Sequence, residues 1–231
     1  MKHIVVLTGA GVSAESGLST FRDTDGLWEG HDVMEVATPD GFAKNPALVL
    51  DFYNQRRKQL LQVAPNAAHE ALVALEEKFE VHIVTQNVDD LHERAGSRNV
   101  LHLHGELLKA RSTLSDDDIV HWAKDMLQGD LCQKGHQMRP HIVWFGEAVP
   151  LMDKAIEITK KADILIIIGT SMQVYPAAGL IDFVRYDIPI YFIDPKPSIS
   201  EHSRENLSIL IASAALGVPK LVWKLLDEST L

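Results

Sequence analysis

Gly9-Ala10-Gly11-Val12-Ser13-Ala14-Glu15-Ser16-Gly17-Leu18-Ser19-Thr20-Phe21-Arg22 follows, after Thr8, on the apolar run Ile4-Val5-Val6-Leu7. A short β-branched run bounded by glycine reads as a buried parallel strand. The glycines after it let the backbone turn sharply and approach a ligand, because no Cβ stands in the way. Ser13 is a suitable N-cap for a following helix, with Glu15 and Ser16 in its first turn. The N–H groups at a helix start favour phosphate. The expectation is a nucleotide pyrophosphate seated near the beginning of the chain. Gly9, Gly11 and Ala14 meet the G-x-G-x-x-G/A spacing, which an ordinary strand–helix turn can meet as well. The dehydrogenase version also needs a second strand closed by an acidic residue about 20 residues on. Here Asp23, Asp25, Glu29 and Asp32 are present, but no strand-like run separates them.

The remaining chain has the composition of a soluble globular protein: 231 residues, 46% hydrophobic and 23% charged. A net charge of -10 leaves no basic surplus for nucleic acid. The single cysteine, Cys132, excludes an internal disulfide and fits a reducing compartment. The first apolar run is too short for a signal peptide, and Ile164 to Ile168 is too short to span a membrane. The expected location is the cytoplasm, with neither nucleic acid nor membrane as partner.

Asp23 to Pro46 reads as a long loop covering a ligand. Ala47 to Val63 is a helix by the recurrence of Leu48, Phe52, Leu60 and Leu61, and Pro65 introduces a second over Asn66 to Lys78. Val81 to Val84 is a strand ending in Thr85-Gln86-Asn87-Val88-Asp89-Asp90. A helix over Asp89 to Ala95 stops at Gly96. Val100 to Leu103 is a strand ending in His104-Gly105. Asp116-Asp117-Asp118 opens a helix to about Gln128 within an inserted module, Leu107 to Arg139. Strand character returns at His141 to Phe145. A helix, Leu151 to Lys161, leads to the strand Asp163 to Ile168, closed by Gly169-Thr170-Ser171. A helix over Ala177 to Tyr186 precedes the strand Ile188 to Ile193, closed by Asp194. Leu207 to Ile211 and Lys220 to Leu226 are the last strand and helix. This alternation implies an α/β fold: a parallel sheet with helices on both faces plus a small inserted module. Polar residues gather where strands end, which is where open α/β sheets bind ligands.

Read together, Gly9 through Arg22, Thr85 through Asp89, Leu103-His104-Gly105 and Gly169-Thr170-Ser171 resemble the sirtuins, the NAD-dependent protein lysine deacylases. The matches run in family order along essentially the whole chain. The resemblance implies a Rossmann-like large part over about 1–30, 80–106 and 141–231, and a small helical part over about 31–79 and 107–140. It implies that NAD is consumed: the acyl group of a modified lysine passes to ADP-ribose and nicotinamide leaves. His104 matches the general base, an assignment that suits imidazole chemistry near neutrality. His102, facing the other side of its strand, reads as a core histidine. Asn87 matches a catalytic residue that orders the ribose and nicotinamide pocket together with Asp89, beside Gln86. Ala10, Phe21 and Arg22 match contacts to the nicotinamide ribose and phosphates. Gly9, Gly11, Ser13, Glu15, Ser16, Trp28, Gly169 and Thr170 join this cofactor set. Ser171 and Asp194 match adenosine contacts, and Ala214 lies under the adenine. Many relatives have Asn-x-Glu where this chain has Asp194-Pro195-Lys196. Val143-Trp144-Phe145-Gly146-Glu147 matches the strand and loop along which an acyl-lysine peptide lies, held as an added strand.

Tyr53 and Arg56 stand at i, i+3 on one helix face. They resemble the pair that binds the acyl carboxylate in sirtuins removing succinyl and malonyl groups. A guanidinium fork suits a carboxylate. Arg57 and Lys58 read as solvated. Most sirtuins also carry a structural zinc on four cysteines. Here Ser112 stands where relatives have cysteine, Gly135 replaces the partner of Cys132, and four thiolates cannot come from one cysteine. A zinc-free module packed around Ile119, Trp122, Met126 and Leu127 is expected. The alternatives are a protein that is mainly a deacetylase or ADP-ribosyltransferase, and a non-catalytic NAD or ADP-ribose binding module.

Overall fold

The computed structural model describes residues 1–19, 27–28, 30–115 and 118–228. The strand β1 (His3–Thr8) is apolar on both faces, so it can only lie inside a covered sheet. There follow β2 (Leu27–Trp28), β3 (His31–Asp32), α1 (Val33–Val36), α2 (Pro39–Lys44), α3 (Pro46–Gln62) and α4 (Ala67–Leu75). Next come β4 (Glu80–Thr85), α5 (Leu91–Ala95), β5 (Val100–His102), β6 (Gly105–Ser112), β7 (Val120–His121) and β8 (Met138–Ile142). The chain continues through α6 (Met152–Lys160), β9 (Ile164–Ile168), β10 (Ile190–Ile193), β11 (Leu207–Leu210) and α7 (Ala214–Glu228).

Six strands form one parallel sheet in the order β11-β10-β9-β1-β4-β5. Ile4, Val6, Val81 and Ile166 face α4 and α7 on one side; Val5, Leu7, Val84 and Ile167 face Ala155 of α6 and Leu180 on the other. Chain connections leave β1 toward β4 and leave β9 toward β10, so β1 and β9 are the neighbours between which they diverge. Loops at such a point open a crevice at the carboxyl edge. A third core, around Val36, Val49, Phe52, Tyr53, Leu107 and Trp144, joins α3 to the antiparallel sheet β7-β6-β8. Among the described residues no helix is long and apolar enough to cross a membrane.

Several expectations are corrected. The loop over Asp23 to Pro46 contains α1 and α2, whose first turns are capped by the side chains of Asp32 and Thr38. Its residues 23–26 and 29, like 20–22 before it, lie outside the described ones. No helix follows the glycine loop: Ala10–Val12 and Ala14–Ser16 are 3₁₀ turns, ended by Gly17 at φ 96. Ser13 makes no cap bond there, its hydroxyl being taken by Asp89. The helix expected over Ala177 to Tyr186 is 3₁₀, Ala177–Phe183.

The module expected to be helical is a three-stranded antiparallel sheet, and no helix runs from residue 118 to 128; Asp116 and Asp117 lie outside the described residues. Met126 is fully buried, whereas Ile119 is 44% and Leu127 64% exposed, so this stretch has no helical apolar face. The amide and carbonyl of Met126 are instead satisfied by the side chain of Asn54, at 2.8 and 2.9 Å. Residues 141–142 complete this small sheet through β8, and α4, placed with the small part, packs on the large sheet with α7.

Candidate active site

At the carboxyl edge, the turn after β1 lies backbone to backbone on the turn after β9. Gly11 N–H donates to the Gly169 carbonyl at 2.8 Å, and Gly9 N–H to that of Ile168 at 3.0 Å. A Cβ on Gly11 would stand 2.6 Å from the Gly169 Cα, and Gly169 itself has φ 59. Close packing of two loops therefore explains these glycines before any ligand is considered.

A polar cluster sits between those turns and the end of β4. Ser13 Oγ donates to Asp89 Oδ2 at 2.9 Å, and Asn87 Nδ2 donates to Ser13 Oγ at 3.3 Å. Thr85 Oγ1 accepts from the Asn87 amide at 3.0 Å and from the Thr8 hydroxyl at 2.8 Å. Gln86 Nε2 reaches Thr170 Oγ1 at 3.1 Å, linking the ends of β4 and β9. Asn87 and Asp89 are both buried. Burial raises the Asp89 carboxyl above its usual range, against the opposing Leu91 amide and Ser13 hydroxyl.

His104 follows β5, half-buried, with Nδ1 3.0 Å from the Gln86 carbonyl. A carbonyl only accepts, so Nδ1 carries the proton and the lone pair is on Nε2. Burial lowers the His104 pKa, which the Gln86 bond only partly offsets, keeping the ring neutral near neutrality. His102 is buried between the Asn87 carbonyl, at 3.0 Å from Nδ1, and Glu93, at 2.7 Å from Nε2. Burial opposes its charge, but the Glu93 carboxylate outweighs it and raises the pKa. Two histidines two residues apart thus have opposite electrostatics.

The other expected cofactor residues scatter. Ala10 is half-exposed on the first turn. Exposed Glu15 accepts from Ser213 Oγ and the Ala215 amide, at 2.9 and 2.7 Å, and so caps the start of α7. Ser16 Oγ accepts from Asn66. Ser171 is half-buried, its carbonyl taken by Ser198. Asp194 is buried, with Oδ1 accepting from the Lys196 amide, and Ala214, the first residue of α7, is buried in the core of the large sheet. Phe21 and Arg22 lie outside the described residues. Trp28 packs edge-on against Phe52 and Tyr53 in the core of the small part.

Tyr53 is fully buried, its hydroxyl accepting Trp144 Nε1–H at 2.9 Å, and burial raises its pKa. The Arg56 guanidinium lies over the Trp28 ring at 4.4 Å. Arg57, expected in solvent, is 1% exposed; Nη1 donates to Asn54 at 2.8 Å and Nε to the Leu107 carbonyl at 3.2 Å. It shares with Leu50, Tyr53 and Leu60 the face of α3 that meets β6, and burial pulls its pKa to about 10. Lys58 is exposed and pairs with Asp125. The N–H groups of Val143, Trp144 and Phe145 are bonded to His104, Glu147 and Ala37. Gly146 is exposed with φ 90.

Residues 9–176 match the Sir2 family. The chain belongs to that family. It is 57% identical over 230 residues, all of both chains, to a Helicobacter pylori protein named NAD-dependent protein deacylase. Among solved structures it is similar to a Sir2 homologue in complex with NAD, with TM-score 0.89, 39% identity and coverage of 99% and 91% of the two chains. It is also similar to a Sir2 protein bound to acetylated peptide, with TM-score 0.78, 26% identity and coverage of 98% and 93%.

The sequence of this Sir2 protein places Glu147 on the peptide segment and gives no role to Arg111 and Arg139, yet these three groups hold the small sheet in place. Glu147 accepts from Arg139 Nη1 and Nη2 at 2.7 and 3.0 Å, from the Trp144 amide at 2.7 Å, and from Arg111 at 3.4 Å. Burial pushes the Glu147 pKa up, but these donors overcome it and hold the carboxyl below its usual range. Arg139 also stacks on Trp144 at 3.4 Å. Arginines in the apolar strands β6 and β8 were the available signal. The donors for a four-cysteine zinc are not here: Ser112 Oγ meets the one cysteine, Cys132, at 3.4 Å, and His136 is exposed.

Proposed function

We propose that this Sir2 protein is an NAD-dependent protein-lysine deacylase that prefers succinyl- and malonyl-lysine. The observation that carries the deacylase reading is the His104 ring, fixed through Nδ1 by the Gln86 carbonyl with its lone pair on Nε2, at the end of the strand next to the one that ends in Gln86 and Asn87. The donor set fits a dinucleotide: hydroxyl, amide and carboxyl groups from the ends of β1, β4 and β9 converge where the chain connections diverge. When bound, NAD supplies the ribose that loses nicotinamide and takes the acyl group. His104 Nε2 takes a proton from a hydroxyl, the step for which a neutral imidazole is suited. Ser13 and Asp89 hold the Asn87 amide in one orientation, and His102 holds its backbone carbonyl. We assign the glycine turns, Gln86, Thr170, Ser171 and Asp194 to binding, and Val143 to Gly146 to the peptide. Because the amides of Val143, Trp144 and Phe145 are already bonded, a peptide strand would be held mainly by carbonyls and by the exposed Phe145 ring.

The acidic-acyl preference rests on Tyr53 and Arg56, which share Trp28 as a neighbour one turn apart. A hydrogen bond to a charged group contributes about 1.5–3 kcal/mol, about a 10- to 100-fold preference over acetyl. The single cysteine and acidic balance support a cytoplasmic protein with a zinc-free small module. The test is nicotinamide release with matched succinyl-, malonyl- and acetyl-lysine peptides and with none. Arg56→Met should cut desuccinylation by that 10- to 100-fold while sparing deacetylation. Equal loss on both substrates defeats the acyl preference, and no peptide-dependent release defeats the deacylase reading.

A further inference from the structure

Far from the carboxyl edge, the opposite end of the same sheet carries a second group of chemically capable side chains. Parallel register sets His3 beside Glu80 and Val5 beside His82. Strand alternation then places His3, Val5 and Leu7 on one face together with Glu80, His82 and Val84. Val5, Leu7 and Val84 fill the core on that face. The remaining three, at the amino ends of β1 and β4, bring two imidazoles and a carboxylate together. His3 Nδ1 is 3.6 Å from Glu80 Oε2, and one donor atom from each residue lies within 4.8 Å of the others. No other such group occurs among the described residues.

We infer that His3, Glu80 and His82 form a divalent transition-metal site. Around a tetrahedral zinc with bonds of about 2.0–2.1 Å, donor atoms stand about 3.3 Å apart. The His3–Glu80 separation is already close to that, and half-buried His82 and exposed Glu80 have room to rotate inward. The backbones beneath are fixed: Glu80 N–H donates to the Lys2 carbonyl at 3.0 Å, Asp163 N–H to that of His3 at 2.8 Å, and His3 N–H to Asp163 Oδ2 at 2.9 Å. Two imidazoles and one carboxylate suit Zn²⁺, Co²⁺ or Ni²⁺ and leave one position for water. The site lies roughly 17 Å down the strands from Thr8 and Thr85, at about 3.3 Å per residue. It is therefore separate from His104. A bound ion would clip two strands that are distant in sequence. Because the unfolded chain cannot present the three donors together, binding raises stability.

The test uses tag-free full-length protein stripped with chelator, then titrated with ZnCl₂ by calorimetry. Thermal melts and Co²⁺ absorption are followed in parallel. One equivalent should bind and raise Tm. Glu80→Gln, an exposed and conservative change, and His82→Ala should each weaken binding about tenfold or more, as even outer ligand partners do. Cys132→Ser should leave binding unchanged. The inference is overturned by absence of saturable binding, by both ligand variants binding like the parent, or by loss of binding in Cys132→Ser, which would move the metal to the small sheet.

Discussion

The carboxyl edge of the large sheet and the small antiparallel sheet both bury polar groups, by different means. At the edge, strands with apolar cores on both faces carry neutral groups such as Thr8, Thr85, Asn87 and His104. Each of these is satisfied by one or two ordinary hydrogen bonds. In the small sheet the end of β6 and β8 away from the Leu107 and Ile142 core has only Leu50, Ala110, Met126 and Met138 as its buried apolar cluster, and one carboxylate, Glu147, gathers two arginines and a backbone amide. Where apolar area is scarce, a charge cluster takes over the role of fixing the chain. The edge is therefore expected to lose a polar group and keep its fold, whereas the small sheet is expected to lose stability with a single carboxylate.

Three measurements probe that contrast. The largest effect is expected at the edge, on rate alone: His104→Ala should lower deacylation by about 10²- to 10⁴-fold, the usual worth of a general base. Its thermal midpoint should barely move. A large loss of stability would instead make His104 a structural histidine like His102. In the small sheet, Glu147→Gln keeps the shape but strands two buried guanidiniums. Urea unfolding should show about 3 kcal/mol less stability, because removing one partner leaves charge uncompensated. An unchanged midpoint would erase the distinction between the regions.

The smallest effect concerns His69 and His92, buried side by side under the edge with ring centroids 4.8 Å apart. Burial pulls His69 to about 4 and lowers His92 well below its usual value, with His69 and His102 adding to the latter. Unfolded histidines titrate near 6.5, so the unfolded state binds protons that the folded state refuses. Stability is full above about pH 6.5 and falls as pH drops, by about 1.4 kcal/mol per pH unit for His69, so that about 2 kcal/mol is lost by pH 5. His69→Gln should flatten a pH series of urea midpoints across that window.

Much of the large sheet was legible. Ile4 to Leu7, Val81 to Val84 and Ile164 to Ile168 are apolar runs that cannot be left in water, and each became a strand. Polar residues at their ends mark the ligand edge for the same reason. The small sheet is not legible in the sequence because its strands carry charge: Lys109 and Arg111 in β6, Arg139 and His141 in β8. Such residues look solvated until partners from elsewhere in the chain are known. Arg57 was misread in the same way, since its acceptors, Asn54 and Leu107, come partly from another element.

Hydrophobic runs, glycine spacing and a histidine after a strand are local patterns, and local sterics and burial suffice to turn them into a parallel sheet with a polar edge. That much the amino-acid order determined. Which turn the glycines serve, which charges Glu147 collects and which donors meet beside His3 depend on strand register and on contacts between residues far apart in the chain. Only the folded structure brings those atoms within reach, because the energy of each such pairing exists only after the cores on both faces of the sheet have closed.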